Sequence, residues 1–450
     1  MARTLEISPS YLNQIEHNSR PLTVPVLVRL SEVFGVDAGF FAPQDTTRLV
    51  AELREALADA DVGSVGSDAD IAAVATDHPG VARAVLALHR RYRTIADDLA
   101  TATRDHPDGA TLMPHEEVRD FFYDTRNYVD DLDRAAEAFA EKIGLNDRPK
   151  RDVLVERLLD HHGVRVSVGH SPAEDTNELS RFDRTSRTIR LSPSLMWGQQ
   201  VFRLAHQLAN LEFAARIASI VERADFQDPQ AKDLLSIGLA NYVASGMLLP
   251  YTIFRDTAEA FRYDLERLSA HFNMGFESTC HRLSTLQRPR ARGVPFAFVR
   301  VDRAGNMSQR QSATPFHFSR AGGTCPLWNV YEAFTSPGKL VTQVAEMPDG
   351  RRYLWMARTV FRSPQRWGAP GKLFAIGLGC EIRHAGRLVY SAGLDVHDRS
   401  AATPIGVGCR VCERGNCPQR AFPPVGRRLD IDPDRGTFIP YPVLARPVAE

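Results

Sequence analysis

The stretch Phe202–Phe213, FRLAHQLANLEF, decides how the middle of this 450-residue chain is interpreted. We interpret it as a helix, on which His206 and position 210 lie on one face because side chains at i and i+4 are neighbours. Two histidines at this spacing could hold one metal ion, with a glutamate between them acting on bound water. Here position 210 is Asn, and Gln207 has no carboxylate to act as a base. The pattern indicates a metal-binding helix that keeps His206 in the first ligand place but lacks the second ligand and the base.

The same stretch resembles the His-Glu-x-x-His helix of zinc metallopeptidases. Downstream, ANYVASGMLLP (residues 240–250) is similar to a stretch of the metallopeptidases that relieve phage and stress-response repressors. In that family a glutamate just before Ala-Asn supplies the third zinc ligand, whereas Ile237, Gly238 and Leu239 occupy the corresponding places here. The resemblance implies a homologous fold without the chemistry. An active peptidase that cleaves a repressor is a rival hypothesis.

The N-terminal residues 1–43 show short helical segments, with Ser8 as an N-cap and Pro9 at the first helical position. The segments SPSYLNQIE and VLVRLSEVFGV resemble the second half of a phage-repressor-type helix-turn-helix domain, with its first helix missing. Carried over by position, the resemblance implies DNA contacts from Pro9, Ser10, Asn13, Gln14 and Arg20. Asn and Gln suit adenine, and Arg suits a phosphate. The alternative is a small helical protein-interaction domain.

Between the N-terminal and middle segments, the composition shifts to Ala, Asp and Arg. TRLVAELREALADA (47–60) and PGVARAVLALHRRYRTIADDLATA (79–102) read as amphipathic helices, separated by the Gly/Ser/Asp stretch DVGSVGSDAD. We predict a helical connector over residues 44–113 that serves as a dimerisation element.

The middle segment predicts a long helix over 116–144, a second over 150–163, a strand over 164–168 and a hairpin over 180–192. Beyond residue 287 the chain has β-rich runs broken by Gly and Pro: PFAFVRVD, LVTQVAEM, RYLWMARTVF, KLFAIGLGC and GRLVYSAGL. The expected fold is therefore multidomain: all-α over 1–43 and 44–113, α+β and metallopeptidase-like over 114–287, and β-rich α+β over 288–450.

Composition argues against a membrane-spanning or secreted protein, and the charge distribution favours a polyanion as ligand of the C-terminal third. No apolar run reaches the roughly 18 residues that span a bilayer, and no signal-peptide pattern opens the chain, which predicts a cytoplasmic protein without membrane contact. Residues 288–450 carry 24 Lys/Arg against 12 Asp/Glu, although the whole chain is neutral. This basic third suits a polyanion, such as phosphates, nucleic acid or a thiolate-rich metal centre.

All six cysteines lie beyond residue 279, which in a reducing compartment points to metal and not to a disulfide scaffold. Cys409, Cys412 and Cys417 form a C-x2-C-x4-C arrangement, whose short spacers let three thiolates converge. We predict Cys380 as the fourth ligand, since glycines flank Leu378 beside it, with Cys325 as the alternative. Nearby arginines at 410, 414 and 420 would offset the thiolate charge.

Three close cysteines plus one distant cysteine suit a [4Fe–4S] cluster better than zinc, which usually pairs two C-x2-C units or adds histidines. Zinc and unligated thiols are the alternatives. Cys280, in the helix-like stretch FESTCHRLSTL, is expected in the core.

The motifs GGTCPLW, GLGC and CRVCERGNCPQRAFPP, together with the two N-terminal modules, resemble the short-chain fatty acyl transcriptional regulators, actinobacterial regulators of propionate or acetate metabolism. The resemblance covers almost the whole chain. It implies a homodimeric, non-catalytic regulator that binds a DNA operator and senses short acyl-CoA esters. The alternative is a redox or nitric-oxide sensor in which the cluster alone is the input.

Tryptophans and arginines are interleaved in the basic third, which permits an acyl-CoA site. Aromatic faces beside guanidinium groups could stack an adenine and hold its phosphates. The candidate residues are Trp328, Arg352, Trp355 and Arg358. The alternative is a β-rich core with a solvated basic rim.

Overall fold

The structure is a computed structural model of the 450-residue chain. It describes residues 2, 7–16, 26, 29, 44–57, 67–102, 114–169, 178–226, 228–314, 316, 325–362, 367–368, 371–409, 412, 414–424 and 428–444. Within them the chain forms two compact units: residues 1–89 with 288–292, and residues 90–287 with 293–450. The peptidase-like and C-terminal segments thus share one unit. Among the described residues, no single helix is long and apolar enough to cross a membrane.

The first described helix begins where the sequence predicts. Helix α1 spans Pro9–Glu16, and the Ser8 hydroxyl accepts a hydrogen bond from the Tyr11 backbone N–H at 3.1 Å. This satisfies a donor that the first turn would otherwise leave unpaired, so the predicted N-cap is confirmed. The rest of the predicted DNA-binding domain, beyond residues 26 and 29, lies outside the described residues.

The connector is helical, as predicted, and contains one helix that the sequence analysis missed. Its helices are α2 (Gln44–Leu57), α3 (Asp68–Asp77) and α4 (Pro79–Ala102). Helix α3 starts at a capping box, in which Ser67 and Asp70 bond each other's backbone N–H groups. Its buried Ile71 and Ala75 pack with Leu53 of α2 and Leu86 of α4. The Gly/Ser/Asp stretch therefore ends in a helix cap.

The peptidase-like segment combines helices with a small sheet. Its helices are α5 (Pro114–Asp124), α6 (Asp130–Lys142), α7 (Lys150–His162), α8 (Trp197–Glu212), α9 (Ala214–Arg223), α10 (Pro229–Leu248), α11 (Tyr251–Ala260), α12 (Leu265–Phe272) and α13 (Phe276–Ser284). Strands β1 (Arg165–Val168), β2 (Ser180–Asp183) and β3 (Thr188–Leu191) form a sheet in the order β1-β3-β2. Strands β2 and β3 are antiparallel, which confirms the predicted hairpin.

The single long helix predicted over 116–144 is wrong, because the chain breaks between α5 and α6. Arg126 and Asn127 adopt positive φ angles of 52° and 58°, a conformation that no helix continues through. The Asn127 N–H donates to the Phe122 carbonyl, which closes the end of α5. Asn tolerates this conformation better than most residues, so the break lies where local chemistry permits it.

A buried ion pair ties the start of this segment to its end. The Arg282 guanidinium on α13 lies 2.7 Å from the Asp133 carboxylate on α6, and both side chains are fully buried. Tyr242 donates to Asp133 at 2.8 Å, and Arg282 donates to the Leu249 carbonyl at 2.9 Å. Burial, then the Asp133 charge, raises the pKa of Tyr242 well above its ordinary value. The network is satisfied only when all of these helices are in place.

The C-terminal segment forms a six-stranded sheet in the order β5-β4-β8-β7-β6-β9. Its strands are β4 (Ala297–Val301), β5 (Met307–Ser312), β6 (Val341–Glu346), β7 (Arg352–Arg362), β8 (Lys372–Glu381) and β9 (Thr403–Pro404). All neighbouring pairs are antiparallel except β6 with β9. Helix α14 (Asn329–Glu332) packs on this sheet. The multidomain fold, with helices followed by a sheet-containing C-terminal domain, is confirmed.

One face of this sheet is organised around Trp355 on β7. Its fully buried indole lies across β8, where a Cβ on Gly379 would be 2.5 Å from the ring. A Cβ on Gly377 would likewise lie 2.7 Å from Val330. These glycines thus make room for side chains from neighbouring elements, which explains the Gly-Leu-Gly pattern.

We expect Gly379→Ala to lower the free energy of unfolding by about 1–3 kcal/mol, because the added methyl group overlaps the Trp355 ring. Urea denaturation followed by tryptophan fluorescence measures this. Gly386→Ala is the matched control, since a Cβ there meets nothing within 4 Å. Equal midpoints for the two variants would contradict the packing described here.

The opposite face of the sheet packs against the peptidase-like helices. Phe298, Leu378 and Cys380 are buried there, and the Phe298 ring contacts His281 of α13. Glu277 of α13 bonds two arginines of the sheet, Arg300 at 2.7 Å and Arg362 at 3.0 Å. The segments share a core as well as ion pairs.

The run GRLVYSAGL, predicted to be β-rich, forms 3-10 turns over Ile382–Arg387 and Val389–Ser391. Its hydrogen bonds join the peptidase-like segment instead of a neighbouring strand. The Val389 N–H donates to the Arg262 carbonyl, and the Tyr390 hydroxyl accepts from the Leu265 N–H at 2.8 Å. Docking onto the peptidase-like helices replaces strand pairing, so this prediction was wrong.

Candidate functional site

Four cysteines line one pocket in the C-terminal segment. Cys325 precedes α14, and Cys409, Cys412 and Cys417 come from the loop after β9. A Cβ on Gly406, which also lines the pocket, would lie 2.6 Å from the Cys412 sulfur. The backbone of the loop therefore approaches the thiol as closely as only glycine allows.

Two arginines hold the cysteine-bearing loop in shape. The buried Arg420 guanidinium donates to the carbonyls of Cys409 at 3.1 Å and Cys412 at 3.0 Å, and it also bonds the Arg414 carbonyl. Arg414 donates to the Ile405 carbonyl at 3.0 Å and to the Glu346 carbonyl at 2.6 Å. Each planar guanidinium joins several carbonyls at once, which fixes a loop that has little regular structure.

One buried donor belongs to Arg420, which lines this pocket. Among the described residues, the Arg420 Nε has no hydrogen-bond acceptor, whereas the other two guanidinium nitrogens donate to carbonyls of the loop. A buried N–H left unpaired is costly, so an acceptor placed beside this nitrogen would be stabilising.

Burial and the surrounding donors act in opposite directions on the pKa values of the pocket thiols. Burial raises the pKa of Cys325 to about 11, against hydrogen bonds to its sulfur from the N–H groups of Gly406 and Leu327. Burial also raises the pKa of Cys412, against the Arg414 N–H and the charges of Arg420 and Arg414. Donors aimed at sulfur and two nearby cations favour the thiolate form, which is the form that binds metal.

Among the described residues, no group of three or more His, Cys, Asp or Glu side chains is placed so that it could hold a metal ion. The donor set nevertheless has the chemistry that clusters and zinc require: four sulfurs at one pocket, with N–H groups directed at sulfur.

Cys380, predicted as the fourth ligand, lies away from this pocket. Alternation along β8 places it on the sheet face opposite Gly379 and Trp355, fully buried against the peptidase-like helices. Burial raises the pKa of this thiol well above its ordinary range. The alternative, Cys325, is the residue that the structure brings to the other three. Cys280 is fully buried in α13, as expected of a core cysteine.

The tryptophans and arginines proposed for acyl-CoA do not share a site. Trp328 and Trp355 are buried against each other, with ring centroids 4.6 Å apart at 79°. Arg352 and Arg358 are an odd number of residues from Trp355 on β7, so they point to the other face of the sheet. Arg352 donates to the Val396 carbonyl at 3.0 Å, and Arg358 pairs with Glu266 at 3.2 Å. Acyl-CoA contacts by these four residues stay a prediction.

On the peptidase-like helix α8, His206 and Asn210 lie on one face, as the sequence predicts. The His206 Nε2 lies 3.1 Å from the Asn210 amide nitrogen, so a neutral side chain occupies the place of a second ligand. Burial, then the Arg203 charge, lowers the pKa of His206, which keeps the imidazole neutral. Gly238 is one of the three residues at the corresponding places of the third ligand, and a Cβ there would lie 3.0 Å from the Phe122 ring. Phe122 therefore leaves no room for a ligand side chain at position 238.

The DNA-contact candidates lie on α1 as far as the structure describes them. Ser10 and Asn13 are exposed on this helix, and Pro9 and Gln14 belong to it. Arg20 lies outside the described residues.

Three family models match successive parts of the chain. They are a helix-turn-helix model (residues 1–41), an IrrE N-terminal-like peptidase M78 model (159–284) and a model for the C-terminal part of short-chain fatty acyl coenzyme A regulators (285–441). The transcriptional regulator RamB of Mycobacterium tuberculosis is 55% identical over 98% of this chain and 94% of its own length. The chain belongs to the short-chain fatty acyl coenzyme A regulator family.

Other members of this family align over the same extent. The HTH-type transcriptional regulator PrpR of Mycobacterium tuberculosis is 44% identical over 98% of this chain and 91% of its own length. A propionyl-CoA carboxylase regulator of Cereibacter sphaeroides is 43% identical over 98% and 94%. A solved Mycobacterium tuberculosis transcriptional regulator, 47% identical, superposes with a TM-score of 0.71 over 74% of this chain and all of its own. As a member of this family, the chain is a helix-turn-helix transcriptional regulator.

The sequence analysis of this family member missed two features of the thiol pocket. Gly406 was not singled out, and Arg420 was read only as a compensating charge, whereas it shapes the loop through three carbonyls. The alternation of Gly379 and Cys380 in an apolar strand was the signal that could have separated Cys380 from the pocket.

Proposed function

We propose that this regulator controls short-chain fatty acid metabolism, of propionate or acetate, by binding acyl-CoA as effector and a [4Fe–4S] cluster in its C-terminal domain. The printed name of the Cereibacter relative, a propionyl-CoA carboxylase regulator, supports this class of metabolism. The family model over residues 285–441 supports an acyl-CoA effector. The DNA operator is contacted through α1, by Ser10 and Asn13 among its exposed residues.

The observation that carries the cluster proposal is the convergence of Cys325, Cys409, Cys412 and Cys417 on one pocket. These four would hold the group, and when bound it supplies one-electron redox chemistry. Arg420 orients the loop through its bonds to three carbonyls, and its Nε–H, which has no acceptor within the described part of the chain, would be available to a bound group. Zinc is the alternative metal, and the same four thiols would then form a structural zinc site.

Anaerobic purification with assays of iron, zinc and acid-labile sulfide tests the cluster directly. We expect about four iron and four sulfide per chain, as in a cysteine-ligated [4Fe–4S] centre. Stoichiometric zinc without sulfide would contradict the cluster and would support zinc as the bound metal. Absence of both from protein purified with its thiols reduced would overturn the metal proposal.

Acyl-CoA is expected to change operator affinity by about one to two orders of magnitude, a coupling of about 1–3 kcal/mol. An effector shifts the equilibrium between two states only by its differential affinity for them. A gel-shift titration of the operator at zero and saturating propionyl-CoA measures the effect, with free coenzyme A as the control. Superimposable curves with and without propionyl-CoA would refute the effector role.

A second candidate is a redox or nitric-oxide sensor in which the cluster alone is the input, and the exposure of part of the pocket at Cys417 favours it. In that case Cys409→Ser abolishes the signal response, while acyl-CoA leaves the thermal stability of the parent protein unchanged. The propionyl-CoA titration separates the two candidates.

The peptidase-like domain is proposed to have no catalytic activity. Support comes from Gln207, which carries no carboxylate, from Asn210 beside His206, and from the Phe122 ring against Gly238. Zinc-dependent cleavage of a repressor by the purified full chain, lost in His206→Ala, would contradict this.

A further inference from the structure

Cations outnumber carboxylates where one end of the C-terminal sheet meets the peptidase-like helices. Glu277, in the first turn of α13, divides its carboxylate between two strands. One oxygen lies 2.7 Å from the Arg300 guanidinium of β4, and the other lies 3.0 Å from the Arg362 guanidinium of β7. A single negative charge is thus shared by two arginines.

Arg203 of helix α8 adds a third guanidinium to this cluster and has no carboxylate of its own. The residue is half-buried, and among the described residues it forms no hydrogen bond and no ion pair. Burial, and then the charge of Arg362, lowers the pKa of Arg203. A partly buried cation beside another cation is unfavourable unless an anion lies near both.

The strand register brings a fourth cation to the cluster. Lys372 of β8 is directly opposite Arg362 of β7, and like charges in opposite positions repel each other. Alternation places Arg300, Arg362 and Lys372 on the sheet face that packs against the peptidase-like helices. Within the described part of the chain, Glu277 is the only carboxylate that pairs with these cations, which leaves a balance of +3.

We propose that Arg203, Arg300 and Arg362 bind a phosphate group at this end of the sheet. A phosphate monoester carries about −1.5 to −2 charges and three acceptor oxygens, so it suits this excess of cations better than a carboxylate does. Planar guanidinium groups bond phosphate oxygens in pairs, which adds geometric fit to the charge. A Cβ on Gly275, two residues before Glu277, would meet nothing within 4 Å, so the approach to the start of α13 is open.

This site is separate from the two sites discussed above. The cysteine pocket lies away from it, since the peptidase-facing side of the sheet is opposite the face that carries Trp355. Arg352, assigned to acyl-CoA from the sequence, is held by the Val396 carbonyl, and Arg358 is held by Glu266. The unpaired guanidinium of Arg203 was not singled out by the sequence, because the absence of a partner is visible only in the fold.

Two sources of phosphate share this chemistry. One is the nucleotide end of the acyl-CoA effector, which carries a diphosphate and a further phosphate, and only this source rests on the proposed function. The other is a separate phosphorylated ligand.

The first test is a calorimetric titration of the full chain with inorganic pyrophosphate and with propionyl-CoA, at fixed ionic strength. Arg203→Met is expected to weaken the binding of at least one of them by about tenfold or more, because it removes a charged hydrogen-bond donor. Arg216→Met, which removes an exposed arginine of α9, is expected to leave both affinities unchanged. Equal affinities of the two variants for both ligands, or no binding of either ligand by the parent, overturn the proposal.

Glu277→Gln tests the charge balance with the opposite sign. The amide keeps an acceptor oxygen for an arginine but removes the negative charge, so binding of the phosphate ligand is expected to become severalfold tighter. Damage to the fold cannot produce tighter binding, so this gain excludes a merely structural effect. Weaker binding by Glu277→Gln, with the parent circular dichroism spectrum retained, contradicts the proposal.

Competition separates the two sources of phosphate. If the nucleotide of the effector occupies the site, propionyl-CoA displaces pyrophosphate, whereas propionyl-pantetheine, which lacks the nucleotide, does not. If neither thioester displaces pyrophosphate and its binding still depends on Arg203, the site belongs to a separate phosphorylated ligand. The effector role then stands or falls on the operator gel shift alone, so failure of the proposed function and failure of this site are distinguishable.

Discussion

Replacing Cys325 by serine is expected to remove the proposed metal centre, while replacing Cys380 by serine leaves it in place. Cys325 lines the pocket with the three clustered cysteines, whereas Cys380 lies on the opposite face of the sheet. Loss of a residue that only supports a ligand already costs about 10–100-fold in metal affinity, so loss of a ligand costs at least that. Iron release to a chelator from anaerobically purified Cys325→Ser is therefore expected to be at least about tenfold faster than from the parent.

Cys380→Ser is the decisive control, because it likewise replaces one buried cysteine of the C-terminal segment. Circular dichroism and denaturation midpoints establish that both variants are folded. Retained iron in Cys325→Ser together with loss from folded Cys380→Ser would show that Cys380 is the fourth ligand and that the pocket is not the metal centre. The experiment thus decides between the two cysteines that the sequence left open.

Arg282→Met is expected to lower the free energy of unfolding by about 3–5 kcal/mol. The substitution keeps the length of the side chain but leaves the fully buried Asp133 carboxylate without its cation and the Leu249 carbonyl without its donor. An uncompensated buried charge is among the most destabilising single changes in a folded protein. Urea denaturation of the full chain, followed by circular dichroism, measures the loss.

Arg216→Met is the matched control. Arg216 of α9 pairs at 2.5 Å with Asp131, which lies on α6 like Asp133, and both side chains are about half exposed. Exposed ion pairs contribute about 0–1 kcal/mol, so this variant should remain near the parent. The double variant Asp133→Leu with Arg282→Met should recover part of the loss, because it removes both charges. A loss in Arg282→Met no larger than in Arg216→Met would contradict a buried charge network.

Features that depend on neighbours in the sequence were predictable from it. The helix at residues 79–102, the hairpin at 180–192 and the N-cap Ser8 follow from spacing and capping chemistry, and the structure has all three. Helix α3 was missed because its cap, Ser67 with Asp70, sits inside a stretch that reads as a loop. The break after α5 was missed because the helical pattern continues on both sides of it.

Features that depend on distant contacts were not predictable from spacing. The assembly of Cys325 with the loop after β9 joins residues more than eighty positions apart, and only the order of the sheet brings them together. The interleaved tryptophans and arginines of β7 are neighbours in sequence but lie on opposite faces, so proximity along the chain was misleading. The Asp133–Arg282 pair, 149 residues apart, left no local signal at all.

The ion pairs of Glu277 with two sheet arginines indicate that the peptidase-like and C-terminal segments are inherited together. Sequence similarity divides the chain between residues 284 and 285, yet Phe298, Leu378 and Cys380 are buried against helices on the other side of that boundary. A gene fragment that carried the sheet alone would encode an apolar face without its cover and a pair of arginines without their carboxylate. The peptidase-like helices thus cover one apolar face of the C-terminal sheet, so we expect recombination to exchange the N-terminal segment more readily than it separates these two segments.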